Sequence, residues 1–242
     1  MLILNKILKY MNKFVRMIIY IALLIVLLFG GYSLWDLFKV YDGTRLDQEI
    51  IKYRPKEGES MSLVEAQKLN PDIKGWIRID GTKIDYPIVR GVDNFEYLNL
   101  DYKREYSLAG SIFMDYRNSP DFTDKHIVLY GHNINGNLMF ADVRNYRFDS
   151  FFKEHETGHL FTDKNDYKLK FFAYMEIDSY DETIYNVGFS ADELKPELIN
   201  AIKEKSSKYI DIGLSSNDQV VMLSTCFGDG NARSLAIAKV MK

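Results

Sequence analysis

A cysteine, a histidine and an arginine each stand where a predicted β-strand begins or ends. Cys226 closes the apolar run 219–225, Arg233 opens the run 233–240, and His132 follows the run 127–130. A thiolate can attack a carbonyl carbon, an imidazole can exchange a proton with an amine, and a fixed cation can stabilise an oxyanion. These are the groups needed to break an amide through a thioester. Arginine suits the last role better than lysine because its planar guanidinium donates two hydrogen bonds at once.

The strands around these residues are predicted to bring them to one rim of a sheet. The runs 219–225 and 233–240 are predicted to form a hairpin joined by the flexible loop 227–232, which places Cys226 and Arg233 at facing ends. Alternation along the strand puts Ser224 on the same face as Cys226. Gly131 is predicted to let the chain turn where its strand ends, so that His132 also occupies a rim position.

Several other short segments have strand patterns. Apolar residues alternate in 76–79 and 84–88 around an Asp80-Gly81 turn, and Pro87 suggests that the second of these strands is an edge strand. Further strands are predicted at 111–115, 126–130 and 168–177. Seven or eight short strands separated by turns predict a mainly β domain, either a barrel or a sandwich.

Two helices are predicted within the folded unit. Ser62 and Glu65 have the spacing of a capping box, and the folded unit is predicted to begin near Ser62. An apolar stripe later in the chain predicts an amphipathic helix, with Ser190 and Glu193 as its cap. The stripe consists of Leu194, Leu198, Ile199 and Ile202.

The N-terminal region is predicted to anchor the protein in a membrane. Residues 17–35 carry no charge, and at about 1.5 Å per residue they can span a bilayer core of roughly 30 Å. The basic residues that precede them predict a cytoplasmic N-terminus and an extracellular domain. The predicted organisation is a basic N-terminus (1–16), a transmembrane signal anchor (17–35), a helical stalk or linker (36–61) and the extracellular domain (62–242). The basic residues are Lys6, Lys9, Lys13 and Arg16.

Composition excludes one broad class of function and limits the role of the cysteine. The formal net charge is −3, and the lysines are scattered among acidic residues, so nothing indicates nucleic-acid binding. Cys226 is the one cysteine of the chain and cannot form an internal disulfide. It is therefore either a buried inert thiol or a reactive one.

The residues around the predicted rim resemble class B sortases, the cysteine transpeptidases of Gram-positive bacteria. Segments 70–77, 84–89, 110–115 and 151–152 are similar to this family in order and spacing, so the resemblance covers about residue 62 to the C-terminus. The loop 227–232 departs from the family because it is short and glycine-rich. The two signature motifs are Leu223-Ser224-Thr225-Cys226 and Tyr130-Gly131-His132-Asn133, with Arg233 at the position of the family's arginine.

The resemblance implies an eight-stranded sortase-type β-barrel and a defined reaction. Cys226 is expected to attack the threonyl carbonyl of a secreted protein's C-terminal sorting signal, and the resulting thioester is expected to pass to a peptidoglycan amine. His132 is expected to protonate the departing amine and later to deprotonate the acceptor, while Arg233 stabilises the oxyanion. The resemblance implies no cofactor, and it leaves open whether the signal is of the Asn-Pro-x-Thr or the Pro-x-Thr-Gly type. The positions matching the peptide groove are Ser224, Tyr130, Asn94 and Leu98.

Three other hypotheses remain open at this stage. A sortase of this kind can polymerise pilins instead of anchoring proteins, and a membrane-tethered binding module would need no catalysis at all. His155, Glu156 and His159 also satisfy the zinc-peptidase pattern His-Glu-x-x-His. That chemistry needs both histidines on one helical face, and Thr157 and Gly158 are poor helix formers. We therefore predict a surface turn with two exposed imidazoles rather than a metal site.

Overall fold

The computed structural model describes residues 2–46, 48–58, 62–187, 192–226 and 230–241. The chain divides into two compact units, Met1–Asp42 and Gly43–Lys242. The first unit is helical, and the second is built mainly of β-strands. The residues of the candidate site all belong to the second unit.

The first unit lies within a single long helix, α1 (Leu2–Gly43). Its large apolar side chains are exposed, including Leu27 and Phe29 at 71% each. A helix that exposes such a surface over this length is typical of a membrane span. By length and composition α1 can cross a membrane, and it contains the whole uncharged run 17–35.

The second unit contains short helices around an extensive set of strands. Its helices within the described residues are α2 (Gln48–Ile51), α3 (Leu63–Ala66), α4 (Asp149–Glu154), α5 (Glu182–Tyr185) and α6 (Pro196–Lys205), with 3₁₀ turns at Glu96–Leu98 and Ala141–Arg147. Its strands are β1 (Ile73–Ile79), β2 (Asp85–Val89), β3 (Ile112–Met114), β4 (His126–Tyr130), β5 (Asn133–Ile134), β6 (Leu138–Met139), β7 (Thr157–Phe161), β8 (Asp166–Asp178), β9 (Lys208–Tyr209), β10 (Val220–Cys226) and β11 (Ala232–Met241).

The strands of the main sheet close into a barrel. Their order is β11-β10-β4-β3-β2-β1-β7-β8-β9, and β8 also pairs with β11. The ring closes at that pair, so eight of these nine strands form the barrel and β9 lies outside it. Two neighbouring pairs, β2 with β3 and β4 with β10, are parallel. The predicted mainly β fold with an eight-stranded barrel is confirmed, together with the preceding apolar helix.

The first hairpin of the barrel forms as predicted except for its edge position. β1 and β2 pair in antiparallel register, and Gly81 in the turn between them has a left-handed φ of +74°. The edge prediction from Pro87 is wrong because β2 lies between β1 and β3. β3 pairs only with Ile88 and Val89, so the proline stands one residue before that pairing begins.

The amphipathic helix covers one face of the barrel. Leu198 and Ile202 of α6 are buried with Val128 of β4 and Met222 of β10 in one apolar cluster. The helix begins at Pro196, where a proline fits because the first turn needs no donor. Leu194 therefore precedes the helix, although its side chain is fully buried. The proposed cap residue Ser190 lies outside the described residues.

The capping box predicted near the start of the folded unit does not form. α3 is a single turn, and the Ser62 side chain makes no capping hydrogen bond. Glu65 is bound instead by Lys68 at 2.7 Å. Residues before position 62 also pack on the barrel, since Ile50 is fully buried in the same cluster as Trp76.

Candidate active site

The ends of β4 and β10 lie side by side because these strands run parallel. The register pairs each residue from His126 to Tyr130 with its counterpart from Val220 to Ser224. His132 and Cys226 each follow the last pair by two residues. The register therefore carries the imidazole and the thiol towards the same end of the barrel.

Hydrogen bonds extend this alignment beyond the last strand pair. The Gly131 N–H donates to the Ser224 carbonyl at 3.2 Å, and the Thr225 hydroxyl donates to the Gly131 carbonyl at 2.8 Å. The Asn133 amide then donates to the Cys226 carbonyl at 3.3 Å. The residues on either side of His132 are thus hydrogen-bonded to the strand that ends at the exposed Cys226.

Arg233 approaches Cys226 from the opposite side. β10 and β11 form the predicted antiparallel hairpin, and its register pairs Cys226 directly with Arg233. Neighbouring strands lie about 4.8 Å apart, so the strand end with the thiol has the histidine segment on one side and the arginine on the other. The half-buried Arg233 donates from Nη1 to the Ala232 carbonyl at 3.0 Å. Residues 227–229 of the connecting loop lie outside the described residues.

Gly131 is needed for close packing rather than for a turn. A Cβ atom at this position would lie 2.4 Å from Cδ1 of Ile112 and 2.8 Å from Cδ2 of Phe140, and its φ is not left-handed. Both neighbouring side chains are buried. The sequence interpretation of Gly131 as a turn residue is therefore wrong in its physical reason, although His132 does follow the strand end.

We expect the substitution Gly131→Ala to destabilise the protein by about 1–3 kcal/mol because the added methyl group overpacks a closed core. Urea unfolding followed by tryptophan fluorescence measures this change. An unfolding free energy equal to that of the wild type would show that Ile112 and Phe140 can move apart without cost.

The imidazole of His132 is oriented by the main chain of a distant turn. Its Nε2 atom lies 2.8 Å from the carbonyl oxygen of Leu98. A carbonyl oxygen only accepts hydrogen bonds, so Nε2 carries the proton of this contact. In the neutral ring the basic nitrogen is then Nδ1.

Tyr185 is a further site residue, which the sequence alone did not reveal. Its hydroxyl lies 2.9 Å from Oγ of Ser224, and its ring stacks on Tyr130 at a centroid distance of 6.2 Å. Burial raises the pKa of Tyr185 to about 12, although the Ser224 hydrogen bond and the positive charge of Arg233 oppose the shift. The phenol is therefore neutral at physiological pH, beside the strand end that carries Cys226.

A buried carboxylate supports the wall of the site. Asp115 is fully buried and accepts hydrogen bonds from Nε and Nη2 of Arg117, at 2.8 Å each, and from the Tyr130 hydroxyl and the Asn94 amide, at 2.9 Å each. Burial by itself would raise the pKa of Asp115, but the hydrogen bonds from Arg117 and Asn94 outweigh it and lower the pKa. Asp115 is thus ionised and fixes two of the predicted groove residues at once.

We expect Asp115→Asn to lower the free energy of unfolding by about 2–3 kcal/mol at neutral pH, because a buried ion pair loses one charge. The lowered folded-state pKa contributes stability that is fully present above the unfolded-state value near 3.8 and is lost as the pH falls through the folded-state pKa. The difference between wild type and variant should therefore shrink in acid. Urea unfolding at a series of pH values tests this, and a difference that stays constant would contradict it.

The four predicted groove residues surround the same end of the barrel. Leu98 contacts His132 through its carbonyl, and Ser224 is buried against Tyr185. The Asn94 amide group bonds Asp115 and the Tyr116 N–H, so both of its polar atoms have partners within the protein. Their contact with substrate stays a prediction.

The His-Glu-x-x-His motif lies across a helix end and a strand instead of on a helix. His155 is the residue that follows α4, whereas His159 lies within β7. The His159 side chain is 4% exposed, and its Nδ1 atom lies 2.7 Å from Oδ1 of Asp166. The prediction of two exposed imidazoles is therefore wrong. The β7–β8 hairpin buries His159 beside an acidic partner, and His155 is half-buried with Nδ1 2.9 Å from the Asp80 carbonyl oxygen. Within the described residues, no group of three His, Cys, Asp or Glu side chains could hold a metal ion.

Comparisons with known proteins give a consistent picture. No protein-family model matches the chain. It is 28% identical over 242 residues to Sortase B of Staphylococcus aureus, covering 98% of that protein and 96% of this chain. The solved Staphylococcus aureus sortase B–substrate complex is 32% identical with a TM-score of 0.68, over 74% of this chain and 84% of that one. A Streptococcus pyogenes class B sortase involved in pilus biogenesis is 36% identical with a TM-score of 0.67, over 74% of this chain and 98% of that one.

The protein has the architecture of a sortase, a cysteine transpeptidase of the cell wall. Its barrel is closed, and one strand ends in a cysteine, with a histidine-containing segment on one side and an arginine on the other. The chain belongs to the class B sortases, since it is 36% identical to a class B structure that it covers almost completely. The class predicted from the sequence motifs is confirmed.

Proposed function

We propose that Cys226, His132 and Arg233 are the catalytic residues of a reaction in two halves. The Cys226 thiolate attacks the threonyl carbonyl of a sorting signal, the peptide C–N bond breaks, and His132 gives its proton to the departing amine. An amine of peptidoglycan or its precursor then attacks the thioester, His132 takes up the amine's proton, and the Cys226 thiolate leaves. Arg233 stabilises the oxyanion in both halves, and the reaction requires no cofactor.

The observation that carries this proposal is the strand register around Cys226. On one side, the parallel pairing with β4 leads to His132, and on the other side the antiparallel pairing with β11 ends at Arg233. Two separate parts of the sequence, the β10–β11 hairpin and the segment after β4, thus bring a thiol, a cation and an imidazole to one barrel end. A binding module without catalysis would have no need for this combination.

We further propose that the peptide lies along the wall formed by Tyr130, Ser224, Asn94 and Leu98. The solved substrate complex of the Staphylococcus aureus relative supports a peptide partner. Tyr185 belongs to the same wall because its ring and hydroxyl contact Tyr130 and Ser224.

The direct test uses the full chain in detergent micelles with quenched fluorescent peptides of the Asn-Pro-x-Thr and Pro-x-Thr-Gly types. We expect one type to be cleaved after threonine, and an added amine to appear in the product. The variant Cys226→Ala should be inactive. Absence of cleavage for every peptide, together with resistance of Cys226 to alkylation, would favour the membrane-tethered binding module.

The localisation follows from α1 and from the charges before it. We propose a single-pass cell-membrane protein with residues 17–35 in the bilayer, a cytoplasmic basic N-terminus and an extracellular catalytic domain at 62–242. Residues 36–61 connect the span to this domain, and the part around Ile50 packs on the barrel. The apolar surface of α1 supports the span, and the positive-inside rule supports the direction. Because Cys226 is the chain's one cysteine, a membrane-impermeant thiol reagent should label the protein on intact cells. Labelling only after lysis would indicate the opposite orientation, with the catalytic domain in the cytoplasm.

Pilin polymerisation is a second candidate because one similar structure is a class B sortase involved in pilus biogenesis. The two functions share the thioester and differ in the amine that resolves it. Mass spectrometry of the product distinguishes them: anchoring gives a bond to a peptidoglycan amine, and polymerisation gives a bond to a lysine side chain of a second protein.

A further inference from the structure

We propose that the turn Glu96–Leu98 is a positioning device that fixes the tautomer of His132 through the Leu98 carbonyl. The inference rests on the proposed acid/base role of His132. Its residues are Tyr97 and Arg104, which hold the turn, and Gly110, which packs against the carbonyl itself. None of these three residues is expected to touch the substrate.

The turn is held from below by a buried tyrosine. Tyr97 is fully buried, its hydroxyl donates to Oδ2 of Asp72 at 2.7 Å, and it accepts a hydrogen bond from the Asn70 amide at 2.7 Å. Burial raises the pKa of Tyr97 well above its usual value, so this hydroxyl remains a donor throughout the physiological range. The residue immediately before Leu98 is thus tied to the segment that leads into β1.

The turn is held from outside by an arginine. Arg104 bonds both the Glu96 carboxylate and, at 3.0 Å, Oδ2 of Asp72. The other oxygen of Glu96 accepts the Val92 N–H at 3.0 Å. Arg104 has a left-handed φ of +68°, a conformation that costs energy for a residue with a side chain and that the two ion pairs help to maintain.

Gly110 leaves the space that the Leu98 carbonyl occupies. Its φ is +59°, and a Cβ atom there would lie 2.5 Å from the Leu98 oxygen and 2.8 Å from the Tyr97 oxygen. The next residue, Ser111, donates its N–H to the Tyr97 carbonyl at 3.1 Å. The chain therefore returns directly beneath the turn, and only a glycine leaves the Leu98 oxygen in its place beside His132.

The device has one chemical consequence, whichever protonation state the cysteine–histidine pair adopts. Nε2 of His132 keeps its proton in the hydrogen bond to Leu98, and proton exchange with the thiol or the amine takes place at Nδ1. Displacing the carbonyl frees the ring to adopt the other tautomer. The proton then occupies the nitrogen that the reaction needs as a base, which slows the chemical step.

The test compares two glycines that share a left-handed backbone. In the full chain, Gly110→Ala places a methyl group against the Leu98 oxygen, whereas Gly213→Ala at φ +64° meets nothing within 4 Å. We expect Gly110→Ala to lower kcat by about 10²-fold with a smaller change in KM, and Gly213→Ala to keep wild-type kinetics. Nitrogen-15 NMR of the histidine rings, recorded at a pH high enough for the His132 imidazole to be neutral, should show the Nε2–H tautomer in wild type and Gly213→Ala, and a mixture in Gly110→Ala.

A milder pair of variants covers the case in which Gly110→Ala does not fold. Arg104→Gln removes the two ion pairs of the turn, and Lys68→Gln removes the exposed Lys68–Glu65 pair as a control. Arg104→Gln should lower kcat and mix the tautomers to a smaller extent, and Arg104→Lys should recover part of both effects. Wild-type tautomer and kcat in both Gly110→Ala and Arg104→Gln would overturn the inference.

The NMR measurement separates this inference from the proposed function. If His132→Ala retained full activity, the acid/base role would fail, yet the ring nitrogen signals would still report whether the turn selects the tautomer. If the signals were insensitive to Gly110 and Arg104 while His132→Ala was inactive, the positioning device alone would be excluded.

Discussion

Replacing Arg233 with lysine is expected to lower kcat/KM for sorting-peptide cleavage by about 10²–10³-fold, although the positive charge is kept. The register opposite Cys226 fixes the backbone of residue 233, and only the planar guanidinium can donate two parallel hydrogen bonds to a developing oxyanion. Lysine offers a shorter, more strongly hydrated point charge. Steady-state kinetics on the full chain measure the loss.

A matched variant on the same strand controls for effects on β11. Lys239 pairs with Asp218 at 2.9 Å near the far end of the strand, so Lys239→Arg makes the reverse exchange away from the site. It should retain wild-type kinetics. Alkylation of Cys226 by a small neutral reagent should stay within about twofold in Arg233→Lys, because the arginine is proposed to act on the oxyanion. Full peptidase activity in Arg233→Lys would exclude the two parallel hydrogen bonds of the guanidinium as the catalytic feature.

The substitution His132→Gln is expected to reduce kcat/KM for peptides by about 10³–10⁴-fold. The glutamine amide can still donate a hydrogen bond to the Leu98 carbonyl, but it cannot exchange a proton at physiological pH. The variant therefore removes acid/base chemistry with little change in the surrounding contacts.

Substrates with different leaving groups isolate the acid step in this variant. A peptide ester with an activated phenol needs no proton on its leaving group, whereas an amine does. We expect His132→Gln to lose considerably less activity on the ester than on the amide. Equal losses on both substrates would indicate that His132 acts only on the thiol or only on the structure of the site.

The strands that carry the site could be predicted because each is an apolar run with a distinct end. The prediction for β4 has the observed bounds, and those for β10 and β11 are within one residue of them. A nearly continuous apolar run marks each of these elements locally, and Gly131 and Gly228 follow the runs of β4 and β10 in the sequence. The three proposed catalytic residues were found for the same reason, since each follows or begins such a run.

The contacts that orient the site could not be predicted because they join distant segments. The Leu98 carbonyl carries no side-chain signal, and its partner His132 is 34 residues away in the sequence. Tyr185 belongs to a one-turn helix without a strand or helix period of its own, yet it reaches Ser224 across 39 residues.

Two errors have the same physical origin. For Gly131 the local sequence indicates a turn that needs a flexible backbone, whereas the close packing of Ile112 and Phe140 is what requires a glycine at this position. For His159 the local sequence indicates a surface turn, whereas the hairpin pairing of β7 with β8 brings the imidazole beside Asp166 on the next strand.

The measurement that tests the central claim most directly is intact-mass spectrometry of the full chain. The protein is mixed with an intact peptide of the type that it cleaves, in the absence of an acceptor amine. The account predicts a mass increase equal to the peptide fragment ending at threonine, located on Cys226 after digestion and removed by hydroxylamine. Cys226→Ala should show neither the adduct nor cleavage. Peptide cleavage that proceeds in Cys226→Ala, or without any adduct on Cys226 in the wild type, would contradict the thioester mechanism.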